Sequence, residues 1–352
     1  MTMEIVAEIR HDRQHQIGVG EGMNSEVFKS HDPQLGGDFA IKIIEKTRFG
    51  GDITKYFEEA QVMFATAHPN IVPIQYACQD ASHVMLAMPF YTRGSLGTRI
   101  SSGPITTKEL IRVAIGILHG VSQIHTAGYV HFDLKPSNVL FNDVDDPLVS
   151  DFGQTRKVLP TGAIVVPPMY QNAIPPETLS TGAGGPLGDI YQLGLLFYRA
   201  INGDDLYRRQ FVGLDWVTRR QLIMVGRLPD RQLFLPHVPK RMRTIIRKAL
   251  KCDPALRYQS AEQFSKAIAA TPIGLDWETK IHPSGEMAWR TERPGRADLE
   301  VRLFRTSGSW SVRVWTVNGT SKRAMGSSSL NRFGLDLPDA MDHLKEVFAQ
   351  LA

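Results

Sequence analysis

Short runs in which apolar and polar residues alternate open the chain: Gln16 to Val19, Glu26 to His31 and Asp38 to Ile44, joined by turn residues that include Gly36-Gly37. That period of two predicts strands. One helix interrupts them, roughly Ile53 to Ala67, and it ends before His68-Pro69-Asn70 because proline disfavours helical backbone in the residue ahead of it. Beyond about residue 100 the period lengthens. Leu110, Val113, Ile117, Val121 and Ile124 stand at helical spacing, with Thr106 or Thr107 placed to cap the N-terminus. Near Thr271-Pro272 the pattern changes again, to strands over Leu299 to Arg305 and Trp310 to Val317 and then an amphipathic helix from about Pro338. Its Met341, Leu344, Phe348 and Leu351 share one face, which needs a core to bury against. With no internal repeat or low-complexity tract, the pattern divides the chain into a strand-rich unit (residues 1–91), a helix-rich unit (92–272) and a small α+β unit of about three strands and a helix (273–352).

Composition narrows this picture. The 352 residues are 42% apolar and 22% charged, enough for a large two-lobed core and a small extra domain. A net charge of +4 predicts a solvated surface, with nucleic acid and membrane not expected as partners. Cys78 and Cys252 match no metal-ligand spacing and no disulfide framework, which fits a reducing cytosol. Neither an N-terminal apolar stretch of signal length nor a run long enough to span a membrane is present, so a soluble, cytoplasmic protein is expected.

Candidate chemistry begins at Gly20-Glu21-Gly22-Met23-Asn24-Ser25-Glu26-Val27, between two predicted strands. Small residues there let backbone N–H groups approach phosphate oxygens, although two glycines also suit a plain hairpin turn. Further on, Ala40-Ile41-Lys42 sets a lysine into an apolar strand, either on a solvated face or as a buried cation in need of a carboxylate. Glu58 and Glu59, in the predicted helix, are the available acids. Then come His131-Phe132-Asp133-Leu134-Lys135-Pro136-Ser137-Asn138 and Ser150-Asp151-Phe152-Gly153. Pro176-Glu177, Gly188-Asp189-Ile190-Tyr191-Gln192-Leu193-Gly194 and Asp253-Pro254-Ala255-Leu256-Arg257-Tyr258 follow in order.

In these ordered motifs, over roughly residues 14 to 270, the chain resembles the eukaryotic-type (Hanks-type) serine/threonine protein kinases, and its lack of long inserts suggests a bacterial member. The resemblance implies a two-lobed α+β fold that binds ATP and Mg²⁺ and transfers the γ-phosphoryl group to a protein hydroxyl. It implies that Asp133 is the catalytic base, that Asn138 and Asp151 hold the metal, and that Lys42, paired with Glu59, binds the α- and β-phosphates. Lys135 would stand near the γ-phosphate, as in serine/threonine-directed members. Gly20, Gly22 and Ser25 would form the phosphate loop. Val27, Ala40, Met88 and Phe90 would line the adenine site. Arg257 would pair with Glu177, and His131 and Phe152 would be packing residues.

The chain departs from the family pattern in three places. Ser25 replaces the third glycine of the loop, and Phe132 replaces the arginine that reads a phosphorylated activation segment. Activity independent of phosphorylation at Thr155 or Thr161 is therefore expected. The third departure lies before Pro176-Glu177, where the segment from Pro167, including Tyr170, carries no threonine to bridge base and lysine. A pseudokinase scaffold and a small-molecule kinase remain alternatives at this point. In residues 273–352, alternation turns Leu299, Val301, Leu303, Val312 and Val314 inward and leaves Arg302, Phe304, Arg313 and Trp315 as an outward face that could dock a protein substrate or partner.

Overall fold

β-Branched and aromatic residues in alternation build the first layer. Strands β1 (Asp12–Ile17), β2 (Glu26–Asp32), β3 (Gly37–Glu45), β4 (Tyr76–Gln79) and β5 (His83–Pro89) form an antiparallel sheet in the order β1-β2-β3-β5-β4. The computed structural model describes residues 8–18, 25–159, 161–162 and 164–351. Strand β1 starts earlier than the alternation suggests, and Val19, Gly20 and Gly22 lie outside the described residues.

The first helix is shorter than its sequence pattern. Asp52 accepts a hydrogen bond from the Thr54 N–H at 3.1 Å and caps a single 3₁₀ turn, Ile53–Lys55. Helix α1 then runs only from Glu58 to Ala65. Local side-chain capping has won over helical extension, as short polar side chains do beside glycines.

The helical lobe is assembled around two long segments. α2 (Leu96–Ser101) leads to α3 (Thr107–Thr126), whose N-cap is Thr106, the hydroxyl accepting from the Glu109 N–H at 3.2 Å. The five apolar α3 residues at helical spacing are all fully buried. Two short strand pairs follow: β6 (Tyr129–Val130) pairs with β9 (Arg156–Lys157), and between them β7 (Val139–Phe141) pairs with β8 (Pro147–Val149). Next come α4 (Pro176–Thr181), α5 (Pro186–Asn202), α6 (Asp204–Arg209), α7 (Trp216–Met224), α8 (Lys240–Ala249) and α9 (Ala261–Ala269). Helix α5 is almost wholly buried and serves as the pillar of this lobe.

Six strands, not three, precede the last helix: β10 (Glu278–Ile281), β11 (Met287–Thr291), β12 (Asp298–Thr306), β13 (Ser309–Asn318), β14 (Ser321–Ala324) and β15 (Arg332–Leu335). The strands missed in the sequence are four or five residues long: β10, β14 and β15 are largely exposed, and β11 buries only Trp289 and Thr291, so they lack a clean apolar alternation. The sheet order is β10-β11-β12-β13-β14, with β15 also on β13. Helix α10 (Leu337–Leu351) lays Leu344, Val347 and Phe348 on Trp289, Val301 and Val314. A seam joins this layer to the helical lobe. The Trp289 indole donates to His237 Nδ1 at 2.9 Å, and the Phe348 ring sits 5.1 Å from Trp277 and 5.2 Å from Trp289. Among the described residues no helix is long and apolar enough to cross a membrane.

Candidate active site

Cross-strand register sets the first wall of the site. Val27 lies opposite Lys42 and Lys42 opposite Leu86, while Ala40 lies opposite Met88. Residues two apart share a face, so Val27, Ala40, Lys42 and Met88 line one side of the sheet. Phe90 follows the end of β5, half-buried with the Lys29 ammonium 5.1 Å from its ring centroid, and Ser25 immediately precedes β2.

Lys42 is only 8% exposed, and its ammonium is satisfied twice: Glu59 Oε1 lies at 2.7 Å and Asp151 Oδ1 at 2.8 Å. Of the two acids in α1, the sheet selects Glu59; Glu58 points to solvent. Burial alone would depress Lys42, but Asp151 and Glu59 outweigh it and hold the ammonium above its ordinary value. Glu59 is pushed up by burial, partly offset by Lys42. Asp151 is held far below the usual carboxylate range, chiefly by the charge of Lys42 against its own burial. Gly153 abuts this triad: a Cβ there would come within 3.4 Å of Lys42 Nζ.

Across the cleft, the loop from His131 to Asn138 is fixed by helix α5. Asp189 Oδ2 accepts from the His131 N–H and Oδ1 from the Phe132 N–H, both at 2.9 Å. Gln192 accepts from the Leu134 N–H at 3.0 Å and donates to the Phe132 carbonyl at 2.9 Å. These bonds hold Phe132 at φ +63°, and Asp151 has the same φ, a conformation that costs a non-glycine residue on the order of 1 kcal/mol or more. His131 packs on Phe152 with 5.3 Å between ring centroids, as the packing reading expects.

Asp133 Oδ2 accepts from Lys135 Nζ at 2.8 Å and from Asn138 Nδ2 at 2.9 Å. Both contacts fall on one oxygen, so Oδ1 is left without a protein donor among the described residues. Because the Asn138 amide nitrogen is spent on Asp133, its oxygen is turned away, with only a 3.4 Å contact to the Ser137 hydroxyl. Below the cleft, the fully buried Arg257 grips Glu177 through two bonds of 2.7 and 2.6 Å.

The activation segment also resolves into contacts. Thr155 is buried with its hydroxyl unpartnered, and Thr161 is exposed. Phe132, in the place of an arginine, lies against Val166 and Gly184: a Cβ on Gly184 would sit 2.7 Å from the Phe132 ring and 2.6 Å from Val166 Cγ2. Gly184 was not singled out from sequence, since Val166 and Phe132, which it packs against, lie 18 and 52 residues away.

The protein kinase domain family matches residues 13–267. The chain belongs to that family. Among curated kinase relatives, serine/threonine-protein kinase PknL of Mycobacterium tuberculosis is 27% identical over 255 residues, covering 70% of this chain and 62% of that protein. The DNA damage-responsive serine/threonine-protein kinase RqkA of Deinococcus radiodurans is 27% identical over 310 residues, 84% of this chain and 44% of that protein. Serine/threonine-protein kinase PrkC of Bacillus subtilis is 27% identical over 259 residues, 71% and 39% of the two. The kinase chain described here spans less than two thirds of each relative's own length.

Proposed function

We propose that the chain transfers the γ-phosphoryl group of ATP to serine or threonine hydroxyls of a protein. The observation that carries this reading is the pairing of two charge devices in one cleft: Lys42 between Glu59 and Asp151, and Asp133 between Lys135 and Asn138. Phosphoryl transfer asks for positioning and charge neutralisation more than covalent chemistry, and these residues supply both.

Lys42 binds the α- and β-phosphates, and Glu59 keeps its ammonium from swinging away. Val27, Ala40, Met88 and Phe90 enclose the adenine, and Ser25 borders the phosphates; the Gly20 and Gly22 assigned with it from sequence lie outside the described residues. Asp133 takes the hydroxyl proton on Oδ1, since Lys135 and Asn138 occupy Oδ2. Lys135 then lies beside the γ-phosphate and favours serine or threonine acceptors. Asn138 Oδ1 and Asp151 are hard oxygen donors that fit Mg²⁺, which takes few protein ligands and completes its shell with phosphates and water. Bound there, the ion would neutralise charge on the β- and γ-phosphates.

Transfer proceeds without phosphorylation of the activation segment. Phe132 offers no cation to a phosphate, Thr155 is buried, and apolar contacts with Val166 and Gly184 hold the segment where an ionic clamp would otherwise act. The sheet face bearing Arg302, Phe304, Arg313 and Trp315 meets the protein substrate. Trp315 sits 5.8 Å from the Arg302 guanidinium and 5.4 Å from that of Arg313, which leaves Arg313 for a partner because Glu300 already holds Arg302. Arg313→Glu should weaken phosphorylation of that substrate and spare a generic peptide.

The direct test uses γ-labelled ATP with a generic basic protein. Label should appear on serine or threonine with wild type and vanish with Asp133→Ala. Label recovered only on a small metabolite, or equal labelling by both proteins, would sink the proposal.

A further inference from the structure

The net charge of +4 conceals an uneven distribution. Residues 227 to 251 hold eight lysines and arginines against one acid, Asp230, so this stretch alone exceeds the chain's net charge and the remainder is net negative. Among the described residues none of the eight forms an ion pair with a carboxylate, whereas Arg199 and Arg257, elsewhere in the same lobe, are both paired. Asp230 itself is spent on the Gln232 N–H at 2.8 Å. The basic charge of this surface is therefore clustered.

The cluster is concave. Arg227, Asp230, Arg231, Gln232, Arg247 and Lys251 line a cavity of about 580 Å³ between α8 and the segment that follows α7. Its walls are built and held. Arg247 donates from Nε to the Arg231 carbonyl at 2.8 Å, and its guanidinium lies 5.4 Å from the Phe234 ring, which fixes the group while leaving its Nη donors uncommitted. Arg231 donates from Nη2 to Cys252 Sγ at 3.3 Å and lies over Gly226, where a Cβ would come within 2.7 Å of its Nη1. Glycine is required at that position by this approach and by its φ of +74°. The Arg231 Nε is buried and unpartnered. A second depression of about 490 Å³, bounded by Thr244, Lys248 and Leu256, continues from the first along α8.

We propose that this cavity binds a phosphorylated segment of a protein partner, the phosphate lying among Arg227, Arg231, Arg247 and Lys251 and the neighbouring residues lying along the second depression. Convergent arginine forks match a dianionic phosphate better than a string of separate carboxylates, and the cavity has the volume of a small-ligand site. A single-stranded nucleic acid would want exposed rings for stacking, but the nearby Phe234 and Tyr258 are buried, with Arg247 and Lys248 respectively beside their rings. A membrane surface would want a convex apolar rim, and the site is a hollow. Binding here is read directly and involves no phosphoryl transfer, so its failure is separable from failure of the proposed activity.

The test is fluorescence anisotropy with the full chain and four probes: a short labelled peptide carrying one phosphoserine, its unphosphorylated twin, labelled oligothymidylate, and vesicles of phosphatidylserine and phosphatidylcholine in equal parts. The phosphopeptide should bind best. Arg227→Glu and Lys251→Glu, both exposed and bonded to no other side chain, should each weaken it by about tenfold to a hundredfold, the range expected for a lost charge-assisted hydrogen bond. Arg231→Lys, which keeps the charge and removes the fork, should also weaken it. Equal binding of the unphosphorylated twin, indifference to both charge reversals, or stronger binding of oligothymidylate or of the vesicles would each overturn the proposal.

Discussion

His237 makes the seam between the helical lobe and the last sheet sensitive to acid, by an amount that can be worked from its contacts. The Trp289 indole is only a donor, so the 2.9 Å contact requires His237 Nδ1 to be unprotonated. Nε2 then carries the hydrogen and faces the Thr279 hydroxyl at 3.3 Å. Adding a proton would set one N–H against another inside a buried aromatic cluster. Burial, with a smaller contribution from Arg243, pushes the imidazole down to about 3. In the unfolded chain the same ring takes its proton near pH ~6.5. Between those values the unfolded state binds more protons, so stability is intact above about 6.5 and falls with pH at ~1.4 kcal/mol per unit. Going from pH 7 to pH 5 should therefore cost about 2 kcal/mol through this residue alone. Glutamine can still accept from the indole and does not titrate, so His237→Gln isolates the effect. Urea unfolding followed by tryptophan fluorescence should show the wild type losing its advantage over the variant by about that amount across those two pH units. A difference between the two proteins that did not change with pH would refute the reasoning.

The remaining predictions concern the cleft. Lys42→Met and Asp151→Ala should each lower phosphoryl transfer by on the order of 10³-fold while leaving the chain folded by circular dichroism, because the proposed function assigns each of these charges to nucleotide or metal. Near wild-type turnover at saturating Mg·ATP would contradict the roles given to them. Arg257→Met leaves the partly buried Glu177 without its partner and should lower unfolding free energy by about 3 kcal/mol, readable as a shift in urea midpoint. The double variant Thr155→Ala and Thr161→Ala should remain active in steady-state assays; a loss beyond about a hundredfold, or ~2.7 kcal/mol of transition-state stabilisation, would show that the segment does depend on phosphorylation.

The cleft was legible in the sequence because its chemistry restricts residue type. Lys42, Glu59 and Asp151 meet in one hydrogen-bonded cluster and Asp133 and Asn138 in another, and the roles proposed for them rest on that arrangement. What holds them was less visible. The left-handed backbone at Phe132 is held by Asp189 and Gln192 from a distant helix, a tertiary override that no local propensity carries. The short strands β14 and β15 escaped detection for want of buried alternation. His237 carries no local sequence signal, since the indole it accepts from lies 52 residues on. The cationic hollow was masked by averaging, because a net charge says nothing of where the charges meet.

The central claim is that Asp133 is the base in a phosphoryl transfer to protein hydroxyls, and the sharpest test separates its chemistry from nucleotide binding. Asp133→Asn keeps the shape of the side chain and an oxygen for Lys135 and Asn138, but cannot take a proton. Mg·ATP affinity and single-turnover transfer to a serine or threonine peptide are measured for this variant and for wild type. The account predicts affinity unchanged and a transfer rate lower by about 10²- to 10⁴-fold. A rate equal to that of wild type, with affinity equally intact, would contradict it.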